Sequence, residues 1–301
     1  MGWRTVVVTQ HAKLSLSMNN LVVQTKDGTN QIPLSDIEVV LIDTLQAVVT
    51  AALLSEMAER QVSVIYVSKK GQPVGECRSL TPSQRSIDKL THQLNWQRDR
   101  IERLWTRIIY AKIDAQRQVL NYCQRDTAEL DSQLSKLELN DFTNREAVAA
   151  RFYFREMFGN HFSRNNEDAL NAALDYGYAV LLSLVNCNVV ANGYLTEIGI
   201  HHGSKENSYN LGSDLMEPFR PVFDQWVSQQ SFTDFTPNVK FMLVDLLNVV
   251  INYNGKQELL RNAIGIHVAS CLRYLSGEIS EIEIEVTLPN EVSNRAINDH
   301  V

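Results

Sequence analysis

The first 75 residues alternate short apolar runs with polar turns, a pattern typical of β-strands. The apolar run at 37–44 is nearly continuous, which is expected of a strand buried on both faces. Asp27-Gly28 predicts a tight hairpin turn. The predicted elements are strands at 3–9, 13–18, 20–25, 37–44 and 62–68, with a helix at about 50–60. The pattern therefore indicates a small β-rich N-terminal domain at 1–75.

From residue 85 the apolar positions recur every three or four residues, which predicts helices. Glycines and prolines between Lys69 and Gln84 mark a turn followed by a linker at 76–84. Asn144 and Gly159 are suited to begin and end one of the helices. The predicted helices are 83–122, 144–159, 166–190, 221–226, 239–252 and 256–275. We therefore expect an α+β protein in which the β-rich domain precedes a larger all-α domain at 85–301.

Composition restricts the possible function only in part. Hydrophobic residues make up 44% of the chain and the formal net charge is −7, so a wholly basic surface is excluded while a local basic patch is not. The cysteines form no CxxC pair, which favours reduced thiols over a disulfide frame or a zinc site; they are Cys77, Cys123, Cys187 and Cys271. Without a secretory signal or a sufficiently apolar span, the sequence predicts an intracellular, cytoplasmic protein with no membrane partner.

Residues 199–221, GIHHGSKENSYNLGSDLMEPFRP, bring histidines and carboxylates together. His201 and His202 are adjacent and point in different directions in regular structure, so one ion is not expected to bind both. Asp214 and Glu217 share a helical face, although Pro218 distorts a helix there or restarts it. The stretch is either a loop leading into a surface helix or half of a metal site.

Glu146 offers a third candidate acid. It lies in the first turn of the predicted Asn144 helix, where a carboxylate also interacts well with the helix dipole. Two carboxylates and an imidazole suit Mg²⁺ or Mn²⁺, with open positions for a phosphate oxygen and a water or hydroxyl.

Three blocks resemble the CRISPR-associated spacer-acquisition integrases, the larger of the two universal adaptation proteins. They are REAVAARFYF at 145–154, LNAALDYGYAVL at 170–181 and GYLTEIGIHHGSKENSYNLGSDLMEPFRP at 193–221. The resemblance is greatest to the subtype II-A branch. It implies Glu146, His202 and Glu217 as catalytic metal ligands, with Asp214 as a further ligand or a group that holds one in place. Asp175 replaces the asparagine common in the middle block.

The resemblance also implies the reaction and the partners. A divalent-metal-dependent DNA endonuclease and integrase is expected, in which the 3′-hydroxyl of a prespacer attacks a phosphodiester at the border of a CRISPR repeat. The expected partners are double-stranded DNA (prespacer and repeat), a second copy of the chain, and a dimer of the smaller adaptation protein. Because phosphates need cationic contacts, the candidates are the basic residues in or beside the three blocks, each of which could instead be a solvated charge: Arg145, Arg151, Arg155, Arg164 and Lys205.

Two other functions compete with this one. A DNA- or protein-binding scaffold would not need Glu146 or His202, and an unrelated metal hydrolase would depend equally on His201 and His202. The segment after Glu285 is either a docking segment for the smaller partner or a frayed end.

Overall fold

A computed structural model describes residues 4–69, 73–77, 79, 86–230 and 233–289. The chain divides into two compact units, with the boundary between Ser83 and Gln84. Most of the linker predicted at 76–84 lies outside the described residues, as do residues 290–301 of the C-terminal segment.

In its described residues, the N-terminal unit contains two four-stranded sheets and one α-helix. In the first sheet, ordered β1-β5-β7-β8, the first three strands are parallel and the last is antiparallel. The second sheet is ordered β4-β3-β2-β6. The elements are β1 (Arg4–Val8), β2 (Lys13–Ser17), β3 (Asn20–Gln24), β4 (Thr29–Pro33), β5 (Ile37–Ile42), β6 (Val48–Val49), α1 (Ala51–Glu59), β7 (Ser63–Val67) and β8 (Pro73–Cys77), with a single 3-10 turn at Leu34–Asp36.

The apolar runs explain this unit. Strand β5 has Val39, Val40 and Leu41 buried in succession, as expected for a strand covered on both faces. The side chain of Thr50 accepts a hydrogen bond from the Leu53 amide and so caps α1. Strand β8 continues to Cys77, two residues past the predicted boundary at 75, and stays paired with β7.

The C-terminal unit is mostly helical. Its long helices, α3 and α6, pack against many of the others: α3 contacts α4, α5, α8 and α10, and α6 contacts α7, α8, α9 and α10. The helices are α2 (Ile87–Leu94), α3 (Arg98–Tyr122), α4 (Ala128–Ser135), α5 (Arg145–Phe158), α6 (Ala169–Ala191), α7 (Asn210–Leu215), α8 (Arg220–Ser228), α9 (Pro237–Asp245) and α10 (Leu260–Leu275), with 3-10 turns at Leu139–Asp141, Glu217–Phe219 and Leu246–Asn248. Helix α6 is long and apolar enough to span a bilayer, but 72% of its apolar window is buried within the protein.

The prediction of an all-α second domain is wrong. Strands β9 (Val250–Tyr253), β10 (Lys256–Leu259) and β11 (Val286–Thr287) form a small antiparallel sheet ordered β10-β9-β11. Asn254 and Gly255 join the first two strands with φ angles of 48° and 77°, a backbone that favours a tight hairpin turn. The helix predicted at 239–252 therefore ends too late, because β9 occupies its last residues. The helix predicted at 256–275 begins too early, because β10 occupies its first residues.

The long helix predicted at 83–122 is also wrong as one element. Ser86 caps α2, which ends at Leu94, and a second helix begins at Arg98. Trp96, in the short break between them, is buried and packs against Tyr194 with ring centroids 5.8 Å apart. The break allows α3 to run as a separate 25-residue helix through the unit.

Candidate functional site

A buried carboxylate organises the loop that carries the two histidines. Asp214 in α7 is fully buried, and its oxygens accept backbone hydrogen bonds from Ile200, His201 and His202 at 2.7–3.0 Å. The same carboxylate lies 2.6 Å from Nδ1 of His202. A carboxylate oxygen facing Nδ1 at this distance accepts the Nδ1–H hydrogen bond, so in the neutral ring the proton is on Nδ1 and Nε2 keeps its lone pair.

Gly199 makes this close wrapping possible. A Cβ at this position would lie 2.4 Å from the His202 carbonyl oxygen and 2.7 Å from Asp214 Oδ2, distances that real Cβ atoms do not adopt. The spacing between Gly199 and His202 therefore has a steric reason. Any larger residue would displace the loop from the carboxylate.

The two histidines have different environments, as the sequence predicts. The His201 ring stacks on Trp105 of α3 with centroids 4.1 Å apart, and the planes of the two histidines differ by 86°. The hydrogen bond to Asp214 raises the pKa of His202, against a smaller lowering by burial. His202 is thus the histidine that is oriented by a carboxylate.

Glu146 is the second residue of α5, and the loop before it fixes its position. The Asp141 carboxylate accepts hydrogen bonds from the amides of Arg145 at 2.6 Å and Glu146 at 3.0 Å. Asn144, predicted as the cap, instead has a φ of 53° and makes no side-chain capping bond. The cap was misassigned because the chain reaches α5 through a left-handed turn, which brings Asp141 to the helix end.

Glu217 lies in the 3-10 turn between α7 and α8. This turn is the distortion expected from Pro218, and the helix restarts at Arg220. The Glu217 side chain is 6% exposed and its Oε1 accepts a 2.8 Å bond from Arg220. Burial favours a raised pKa for Glu217, but Arg220 and Lys112 outweigh it and lower the pKa to about 2.

Lys112 of α3 joins the two acids. Its Nζ lies 2.5 Å from Glu146 Oε1 and 2.5 Å from Glu217 Oε2, and its side chain is 8% exposed. This residue was missed in the sequence. The available signal was its position four residues after Ile108, on a face of α3 that is mostly apolar.

Arg220 is also held in place by residues other than Glu217. Its guanidinium lies 4.1 Å from the centre of the Tyr178 ring, and the Tyr178 hydroxyl donates to the buried carboxylate of Asp224. Negative charge on Glu217 and Asp224 outweighs the effect of burial and raises the pKa of Arg220. Arg220 is therefore a permanent positive partner of Glu217.

The donors of this site suit a hard divalent cation. Glu217 Oε2 is buried and accepts no hydrogen bond of normal geometry. Its contact with Lys112 is therefore an ion pair without a well-formed hydrogen bond. Glu146 and the Nε2 of His202 add one carboxylate and one imidazole donor. Within the described residues, however, no three acidic, histidine or cysteine side chains lie as close as a bound ion requires. Lys112 is interposed between the two glutamates.

Asp214 has a different role from these donors. Each of its oxygens already accepts two hydrogen bonds. In this arrangement Asp214 fixes the loop and the proton on His202, which is how carboxylates commonly orient a metal-binding histidine.

The five basic residues expected to contact DNA fall into two groups. Arg151, Arg155 and Lys205 are exposed, although Arg155 also lies beside Glu156 and over Phe152. The other two are engaged within the protein: Arg145 bonds Thr143 and Gln133, and Arg164 bonds Asn171 and Asp175. The aspartate that replaces the usual asparagine at 175 is thus the partner of Arg164.

Comparison with known proteins assigns the chain to a family. The family described as "CRISPR associated protein Cas1" matches residues 5–263. The chain belongs to the Cas1 family. The CRISPR-associated endonuclease Cas1 of Neisseria meningitidis serogroup C (strain 8013) is 33% identical over 259 residues, which cover 84% of this chain and 85% of that protein. The resemblance stated from the three blocks is therefore confirmed at the level of the family, and the II-A branch stays a prediction.

Solved structures share the fold at low sequence identity. A casposase bound to an integration product has a TM-score of 0.77 and 17% identity, over 93% of each chain. A Cas6-RT-Cas1–Cas2 complex contains a chain with a TM-score of 0.72 and 18% identity, covering 92% of this chain and 35% of that one. These similarities support the α+β fold, with strands first and a mostly helical region after them.

Proposed function

We propose that the chain is a divalent-metal-dependent DNA endonuclease and integrase of CRISPR adaptation. The observation that carries the proposal is the convergence of Glu146 and Glu217, from α5 and a distant turn, on the buried Lys112 ammonium, with the oriented His202 within electrostatic reach of Glu217. Family membership and the names of the relatives, an endonuclease and a casposase with its integration product, give the same reaction class.

Glu146, Glu217 and Nε2 of His202 would hold Mg²⁺ or Mn²⁺. When bound, such an ion orients oxygens and stabilises the negative charge that develops on phosphorus during phosphodiester transfer. Asp214 keeps the Nδ1 proton of His202 in place, so that Nε2 points its lone pair outward. Arg220 holds the Glu217 carboxylate in one orientation. His202 is either a ligand or the group that takes a proton from the attacking 3′-hydroxyl.

The proposed substrates are prespacer DNA and the border of a CRISPR repeat. Arg151 and Lys205 are the favoured phosphate contacts because they are exposed. Arg155 is also exposed but lies beside Glu156, whereas Arg145 and Arg164 would have to leave internal partners first. A dimer of the smaller adaptation protein is the proposed partner, supported by the Cas1–Cas2 assembly that contains a similar fold, and the active form is proposed to be a homodimer.

The test is integration of a labelled short duplex into a plasmid that carries a CRISPR repeat, with the smaller partner and Mg²⁺ or Mn²⁺. We expect Glu146→Ala and His202→Ala to abolish strand transfer. His201→Ala is the matched control, because it removes the adjacent imidazole that stacks on Trp105. Normal integration by folded Glu146→Ala and His202→Ala proteins would refute the site and favour a scaffold. Equal loss with His201→Ala would instead favour a hydrolase that uses both histidines.

A further inference from the structure

Lys112 is a buried cation in an apolar helix face. Of its α3 neighbours, Ile108, Ile109 and Ile113 are fully buried. Burying an ammonium group is strongly destabilising unless it is closely paired. Here it is paired twice, with Glu146 and Glu217, at 2.5 Å each. Lys112 thus places a positive charge between the two carboxylates, at the position proposed for the metal ion.

Four charges are balanced in this arrangement. Lys112 and Arg220 supply two positive charges, and Glu146 and Glu217 supply two negative charges. The site is therefore electrically compensated without any ion. A divalent ion added beside an unmoved Lys112 would leave an excess of two positive charges and would repel the ammonium at short range.

The ammonium and a divalent ion would compete for the same two oxygens. Lys112 contacts Oε1 of Glu146 and Oε2 of Glu217, and the second of these is the buried oxygen without a hydrogen bond of normal geometry. Arg220 uses the opposite oxygen of Glu217, Oε1, so it can remain while Lys112 leaves.

The surroundings permit this exchange. The side chains of Glu146 and His202 are 28% and 46% exposed, so solvent reaches the site. A lysine has a flexible four-carbon stem that can move its charge by several ångströms. Arg220 has no such freedom, because Tyr178 lies against its guanidinium. One cation of the site is thus exchangeable and the other is fixed.

We propose that Lys112 is a built-in cation that occupies the position between the two glutamates and is displaced when a divalent ion binds. This inference rests on the metal site of the proposed function. It assigns Lys112 as a positioning residue, which keeps the glutamates together in the ion-free protein. It also sets the affinity for the ion, because every binding event must first release the ammonium.

The experiment measures ion binding without DNA and without catalysis. The full chain is titrated with Mn²⁺, and free Mn²⁺ is followed by electron paramagnetic resonance for the unaltered protein, Lys112→Met and Lys89→Met. Lys89 is the matched control, a partly buried lysine of the same unit whose Nζ donates to the Asn192 carbonyl at 2.9 Å. We expect Lys112→Met to bind Mn²⁺ about tenfold more tightly, since one competing nearby charge is removed, and Lys89→Met to be unchanged.

Thermal unfolding gives a second readout. Without Mn²⁺ the Lys112→Met protein should melt at a lower temperature, because its glutamates repel each other, and Mn²⁺ should raise its melting temperature more than that of the unaltered protein. If Lys112→Met folds only with Mn²⁺, the inference is supported. If it does not fold at all, Lys112→Gln is tested, and failure of both with Mn²⁺ present overturns the inference.

The outcomes separate the two proposals. Equal Mn²⁺ affinity of Lys112→Met and the unaltered protein, with binding lost in Glu146→Ala, refutes the role of Lys112 and leaves the metal site standing. Absence of Mn²⁺ binding in all the proteins, or binding that Glu146→Ala does not change, refutes the metal site itself.

Discussion

Replacing Gly199 by alanine should dismantle the loop that orients His202. The added Cβ would lie 2.4 Å from the His202 carbonyl oxygen and 2.7 Å from Asp214 Oδ2, so either the loop or the buried carboxylate must move. Overpacking of this kind costs about 1–3 kcal/mol, and each charge-assisted hydrogen bond lost from Asp214 costs about 1.5–3 kcal/mol. We therefore expect the free energy of unfolding to fall by about 3 kcal/mol.

Gly203 provides the control for this change. It lies four residues later in the same loop, and a Cβ there would meet no atom within 4 Å. Gly203→Ala should be neutral, or stabilising by about 0.4–1 kcal/mol through the unfolded state. Urea unfolding of both variants, together with Mn²⁺ binding, tests the reasoning. If the two alanine variants have the same stability and the same Mn²⁺ affinity, the steric argument is wrong.

Three further predictions concern other parts of the C-terminal unit. Burial lowers the pKa of His267 from 6.5 to about 4, so its stabilising contribution is present above pH 6.5 and is lost towards pH 4. Because burial also raises the pKa of Asp224 to about 6 and other groups titrate in the same window, the contribution of His267 is measured by comparison with His267→Gln. The destabilisation by His267→Gln in urea should shrink by about 3 kcal/mol from pH 7 to pH 4, and a constant difference contradicts this. Asp141→Ala should lower the free energy of unfolding in urea by about 1–2 kcal/mol because two helix amides lose their acceptor. The control Asn144→Gly should lower it little, because glycine readily adopts the φ of 53° found there. Equal losses of stability in the two variants would show that Asp141 is not the cap. Lys205→Glu should weaken binding of a short duplex DNA. The slope of log affinity against log salt concentration, measured by filter binding, should become shallower by about one phosphate contact. An unchanged slope would exclude Lys205 from the DNA-binding surface.

The N-terminal unit was predictable because its strands are short apolar runs separated by clear turns. The local pattern at 250–259 predicts helix ends, although these residues form β9 and β10. There Val250, Ile251 and Tyr253 form an apolar run that suits either a strand or the end of a helix, and only the Asn254-Gly255 pair indicates the hairpin. The β11 strand that completes this sheet comes from residues 286–287, a long-range pairing that no local pattern encodes.

The candidate site was predictable only in part, and for a different reason. Glu146, His202 and Glu217 were singled out by the resemblance to a family, because their spacing along the chain is unremarkable. Lys112 shares no motif with them, and its role depends on the packing of α3 against two distant segments. Lysine at an apolar helix position was the one local signal, and it indicates a buried partner without naming it.

Helix α3 also sets the order in which a growing chain can complete this unit. Gln118 donates to the Val286 carbonyl and accepts from the Leu288 amide, so the helix that carries Lys112 is fastened by nearly the last described residues. The 175 residues between positions 112 and 288 take about 9–35 s to synthesise at ordinary rates of translation. During that time the nascent chain contains Lys112 but lacks the residues that form hydrogen bonds with Gln118 on the same helix. A truncated product that stops before Glu217 would lack one of the two acids, so an unfinished chain cannot assemble the proposed metal site.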